Sequence, residues 1–136
     1  MHFRSVVRHA ARLRRAIKAF HARKIAVSLF VDPVAAQVHA AAAVGARIVE
    51  LHTGGYADAQ TVAERRRALA QLARAAVLAR QFELTVAAGH GLDYDNVRAV
   101  AEMAEIEELN IGFAIISRAL WVGLEEAVRQ MRVLLK

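Results

Sequence analysis

The sequence predicts an α/β fold of parallel strands joined by helices, and three observations carry that reading. Apolar runs of strand length at 25–31, 47–52, 84–88 and 108–111 alternate with longer stretches of helical periodicity. Each run ends in turn or capping residues: Asp32-Pro33, Thr53-Gly54, Gly89-His90-Gly91 and Gly112. A helical segment precedes the first run, so one helix and then four strand–helix units make up the chain. Strands separated by helical crossovers pair in parallel.

The elements follow in order. Phe3, Val6, Val7, Ala10, Leu13, Ile17 and Phe20 recur every three or four residues, a helical stripe opposed by Arg4, Arg8, Arg12 and Arg15. IAVSLFV at 25–31 is almost wholly apolar, as expected of a strand buried on both faces. Asp32 before Pro33 reads as a helix N-cap with proline at the first helical position, and Gly45 as a left-handed stop. RIVELH at 47–52 is the second strand, Thr53-Gly54-Gly55-Tyr56 its turn, and Thr61 with Glu64 a capping box. Val62, Leu69, Leu72, Ala76 and Ala79 form the next stripe. Strand three runs from Leu84 to Ala88, with Val97, Val100 and Met103 on its helix. Strand four runs from Glu108 to Ile111, and Leu124, Ala127, Val128, Met131 and Leu135 mark a final helix.

Composition narrows the class. With 136 residues, one proline and seven glycines, there is room for one domain and no sign of a linker, so 1–136 is expected to be a single unit. Within it, 1–24 is a basic amphipathic helix and 25–136 holds the four βα units. No apolar run reaches the roughly 20 residues that span a bilayer, so no membrane partner is expected. The lack of cysteine excludes disulfides and thiolate chemistry and is compatible with the expected cytoplasmic location.

The formal charge of +6 is local: residues 1–24 carry eight Lys or Arg and no acidic side chain. Three readings fit that segment: a solvated or oligomer-facing helix, a targeting peptide, or a nucleic-acid binder. Its register runs into the first strand without a cleavage-like break, and basic charge without aromatic stacking gives only salt-sensitive attraction, so no specific nucleic acid is expected.

Parallel α/β folds gather their chemistry where strands end and helices begin. Glu50 and His52, two apart on a strand, share a face. A carboxylate there either lines a site as acid, base or stabiliser of positive charge, or pairs structurally with Arg47 or Arg118. His90 between two glycines is either an acid/base near neutral pH or a cap turned to solvent. The backbone at 89–91 and at 110–112 can present N–H groups to an anion. Asp32 reads as a cap. His2, His9, His21 and His39 lie in helical stretches without ligand spacing, and with no cysteine and no His/carboxylate i,i+4 pair no metal site is expected.

VSLFVDP, VGARIVELHTGGYADA, AAGHGLDYDNV and ELNIGFAIISRALWVGLEEAV together resemble the pyridoxine 5′-phosphate synthase family, in order, from about Leu13 to the end. The resemblance implies a TIM (β/α)8 barrel of which this chain matches the four C-terminal βα units. It implies a transferase of vitamin B6 biosynthesis, condensing 1-deoxy-D-xylulose 5-phosphate with 3-amino-2-oxopropyl phosphate to pyridoxine 5′-phosphate, phosphate and water, without a cofactor. By the same resemblance Glu50 stabilises cationic transition states, His90 donates protons, Gly91 contacts a ligand and the Gly112 backbone holds a substrate phosphate.

Two positions depart from the family pattern: Phe113 stands where the family has His, and Ala87 where it commonly has Asn. The segments NIDH, HLRED and NLEMA, which carry the family's other acid–base residues, are not in this chain. The isolated half is therefore expected to turn over poorly. Val27, Leu29, Val49, Leu51 and Val86 belong to strands that a closed barrel would bury, and four strands with helices on one side are expected to leave two open edges and one bare apolar sheet face. That predicts a homo-oligomer or pairing with a complementary N-terminal half. The alternative is a non-catalytic phosphate-binding or self-associating module.

Overall fold

A computed structural model describes residues 5–135. Phe3, Arg4 and His2 lie outside the described residues. Helix α1 spans Val6–His21, entered through Ser5, whose hydroxyl accepts from the Arg8 N–H. Its apolar stripe is only partly used: Val6 and Ile17 are buried, whereas Val7 and Phe20 are about half exposed.

Strands β1 (Ser28–Val31), β2 (Ile48–His52), β3 (Thr85–Gly89) and β4 (Glu108–Asn110) form one parallel sheet in sequential order. Between them lie α2 (Ala35–Ala43), the short α3 (Gly54–Ala57), α4 (Val62–Gln81) and the short α5 (Arg98–Ala101). After β4 come α6 (Phe113–Val122) and α7 (Leu124–Leu134), separated by Gly123 at φ +83°. The sequence reading had no separate helices at α3 and α6. Both start on backbone that glycine occupies, Gly54 inside α3 and Gly112 as the N-cap of α6, where loop and helix are hard to tell apart from sequence.

Several caps form as the sequence requires. At Gly45, φ is +88°, its N–H reaches the Ala42 carbonyl and the Ala46 N–H reaches Ala41, the paired bonds of a Schellman stop. Thr61 and Glu64 close a full capping box on α4. Asp32 does not cap α2. That helix starts two residues later, behind Val34, because the Val34 N–H bonds the Asp32 carbonyl in a tight turn through Pro33. The Asp32 carboxylate is thereby released toward β2.

Register settles which side chains face which way. Leu29, Val49 and Val86 form one row, and Val31, Leu51, Ala88 and Leu109 another. Val31, Val49, Leu51, Val86 and Ala88 are fully buried, with α2 on β1 and α4 on β2 and β3. These residues face the helices, and the bare face is not the apolar one expected from the sequence. The open face instead carries Phe30, Glu50, Ala87 and Glu108 in one row and His52, Gly89 and Asn110 in the next. The period-2 alternation places polar side chains there and keeps the aliphatic ones beneath the helices.

Candidate active site

The strand ends of β2, β3 and β4 meet at the open face. The β2 exit fixes the β3 exit. The Thr53 N–H bonds the Gly89 carbonyl at 2.9 Å, and the fully buried Thr53 hydroxyl donates to the His90 carbonyl at 2.6 Å. On the other side, the Asn96 side-chain amide donates to the Gly91 carbonyl at 3.0 Å. Asn96 is itself held, because Asp93 and Asn96 exchange backbone-to-side-chain bonds at 2.9 Å each way and Tyr56 donates its hydroxyl to the Asn96 carbonyl at 2.7 Å.

So clamped, His90 adopts φ +86° and Gly91 φ +78°. A left-handed conformation in a non-glycine residue costs roughly 1–3 kcal/mol and persists where the surroundings over-determine it. Both glycines are required for space as well. A Cβ on Gly91 would lie 2.6 Å from the Ala57 Cβ, and one on Gly89 would lie 2.7 Å from the Glu50 Oε1 and 2.9 Å from the Asn110 carbonyl oxygen. The missing side chain at Gly89 is what leaves the Glu50 carboxylate its seat.

Asn110, not Arg47 or Arg118, is the hydrogen-bond partner the structure gives Glu50 among the described residues. Burial raises the Glu50 carboxyl above the ordinary glutamate value; the Asn110 bond pulls it back and the Glu108 charge raises it again. The Arg118 Nε donates to Gln130 at 2.9 Å on α7.

Glu50, His90, Gly91, Asn110, Gly112 and Phe113 line one cleft of about 1070 Å³. Gly112, Phe113 and Ala114 at the start of α6 line it, and a helix start attracts anions. Phe113, the first residue of α6, is 89% exposed. Ala87 is buried in the row between Glu50 and Glu108 and adds no polar group. No group of three His, Asp or Glu among the described residues is arranged to hold a metal. His9, His21 and His39 do not line the cleft: His9 and His39 are exposed, and His39 packs on Phe82.

The sequence-predicted residues Glu50, His90, Gly91, Gly112 and Phe113 therefore share one cavity. Thr53 stands among the strand-end residues of the sequence, but its bond to the His90 main chain, that of Asn96 to Gly91 and the pairing of Asn110 with Glu50 were not legible there. Only the capping-type residues at 93–96 hinted at Asn96.

Residues 4–136 match the family of pyridoxal phosphate biosynthesis protein PdxJ. The chain belongs to that family. Among curated relatives, the pyridoxine 5′-phosphate synthase of Magnetococcus marinus is 51% identical over 131 residues, which are 96% of this chain and 54% of that protein. Those of Synechocystis sp. and a Synechococcus sp. are 50% and 52% identical, over 86% and 93% of this chain and 48% and 53% of their own lengths. The chain thus spans about half the length of these relatives. Its tie to pyridoxine biosynthesis rests on that family, and no described helix is long and apolar enough to cross a membrane.

Proposed function

We propose that this chain forms four βα units of a TIM-type barrel and carries the charge-stabilising and proton-donating half of a pyridoxine 5′-phosphate synthase site. Sequential strand order with the helices on one side supports the barrel reading. The observation that carries the function is the single cleft shared by Glu50, His90, Asn110 and Gly112.

In this reading the substrates are 1-deoxy-D-xylulose 5-phosphate and 3-amino-2-oxopropyl phosphate. A phosphate group sits against the α6 N-terminus, held by the Gly112 backbone, with Gly91 beside the second substrate. The amine adds to the ketone, and protonation and loss of the hydroxyl as water give an iminium cation that Glu50 in the cleft stabilises. His90 protonates the oxygens that leave as water, a role suited to an imidazole near neutral pH. Deprotonating the carbon and amine centres needs further bases, which the rest of a closed barrel would supply. Product formation is tested with both substrates, using the chain alone and with the N-terminal half of a relative. Product only in the combined sample is expected; no product in either sample overturns the reading.

A second reading draws on α6. Phe113, Leu120 and Trp121 are 89%, 83% and 86% exposed at helical spacing on one face, a surface of the sort that marks association. With the unpaired edges of β1 and β4, it supports self-association or pairing with a complementary half, whether or not the chain is catalytic.

A further inference from the structure

His52 ends β2 with its side chain 15% exposed, close to three groups. Its Nδ1 lies 3.6 Å from the Asp32 Oδ1, an ion-pair separation when the imidazole is protonated. Its ring meets Phe30 edge-on, with centroids 5.3 Å apart and planes at 81°. It lies against the His90 ring at 4.7 Å and 38°. Gly54 forms the floor beneath both imidazoles: a Cβ there would stand 2.5 Å from the His52 Cε1 and 3.2 Å from the His90 Cδ2.

The clamps from Thr53 and Asn96 fix only the main chain around His90. They leave its two side-chain torsions to be set by something else, and His90 is exposed on its cleft side. Such torsions interconvert quickly in exposed residues. His52 is the ring packed against His90, and Phe30 and Asp32 restrain His52 in turn. The release of Asp32 from the α2 cap is what makes it available.

We propose that His52 is a positioning residue, a ring held by Asp32 and Phe30 whose stacking selects the rotamer that aims the His90 imidazole into the cleft. The inference rests on the reading of His90 as proton donor. Removing the ring lets His90 rotate away and lowers kcat more than it changes KM, since misplacing a reacting group by about 1 Å costs up to roughly 100-fold.

The test is nuclear magnetic resonance of the full chain labelled at histidine, for wild type, His52→Ala, His52→Phe and Asp32→Asn. In wild type, the side-chain couplings of His90 should report one rotamer, with cross-peaks to the His52 ring. His52→Ala should average those couplings, His52→Phe should restore a single rotamer, and Asp32→Asn should show partial averaging. In the product-forming assembly, His52→Ala should lose about ten- to a hundredfold in kcat, with most recovered by His52→Phe. Unchanged His90 couplings in folded His52→Ala overturn the inference, and so does failure of His52→Phe to restore them. His90→Ala separates the two readings: full product formation without His90 sinks the proton-donor role, while the couplings still judge the stacking.

Discussion

The Thr53 hydroxyl donates to the His90 carbonyl at 2.6 Å, tying the residue after β2 to the residue after β3. Thr53 is 1% exposed, so this bond is made away from water and holds a left-handed histidine in place. Replacing Thr53 by Val keeps the shape and removes the donor. The expected loss is about 1–3 kcal/mol, the cost of an unsatisfied buried polar group, read as a lower denaturant midpoint. Thr53→Ser should retain most of the stability.

Gly89 and Gly55 offer a paired test of space. Gly89→Ala drives a methyl to within 2.7 Å of Glu50 and 2.9 Å of the Asn110 main chain, whereas Gly55→Ala meets nothing within 4 Å. Gly89→Ala should destabilise by about 1–3 kcal/mol, as overpacking does. Gly55→Ala in α3 should be neutral or slightly stabilising. Thermal unfolding of both variants checks the contrast.

Glu50 makes a prediction about pH. Its carboxyl is raised by burial first, so the folded chain binds that proton more readily than the unfolded chain. For an acid raised in this way, stability falls as pH rises from its ordinary value through its folded one. Glu50→Gln removes the term. The stability of Glu50→Gln relative to wild type should therefore increase between pH 4 and pH 7, measured by urea unfolding at each pH. A flat difference would contradict it.

The α4 capping box predicts the opposite slope at a different carboxylate. The Thr61 N–H first, then the Thr61 side chain and the Gln60 N–H, hold the Glu64 carboxyl below the ordinary glutamate value. That contribution is present above the ordinary value and is lost as pH falls through the folded one. Glu64→Ala, which removes the acceptor of these bonds, should destabilise the chain at neutral pH and do so less in acid, followed by chemical denaturation.

Phe113 stands at the start of α6, on the rim of the cleft. In the proposed phosphate site a phenyl ring offers no hydrogen bond. Phe113→His should tighten binding of inorganic phosphate in calorimetry by a fewfold to tenfold, the scale of one added charge-assisted bond of about 1 kcal/mol. Unchanged affinity would remove the α6 start from the proposed site.

Short apolar runs ended by turn residues and spaced by helical stretches made the four parallel strands legible. What they left hidden was which face lay bare. Val49 and Leu51 look equally buried in any register, and only pairing with Val86 and Ala88 under α4 assigns them to the helix side. Glu50 and His90 stood out as ionisable groups at strand ends, where chemistry concentrates. The roles of Thr53 and Asn96 did not, because each is a bond to another segment's main chain. Asp32-Pro33 has the composition of a helix start, and it misled because the turn at Val34 uses the Asp32 carbonyl and leaves the carboxylate to His52.

The bare side of the sheet carries Glu50, His52, Glu108 and Asn110. Those groups give the cleft its chemistry, and they also keep that surface wettable. A copy still waiting for a neighbour has no dry plate to shield there; among the described residues its most exposed large apolar side chains, Phe113, Trp121 and Leu120, stand on the ridge of α6 instead. Mutations that dry out the cleft would therefore strip away a solubility device along with the reactive groups.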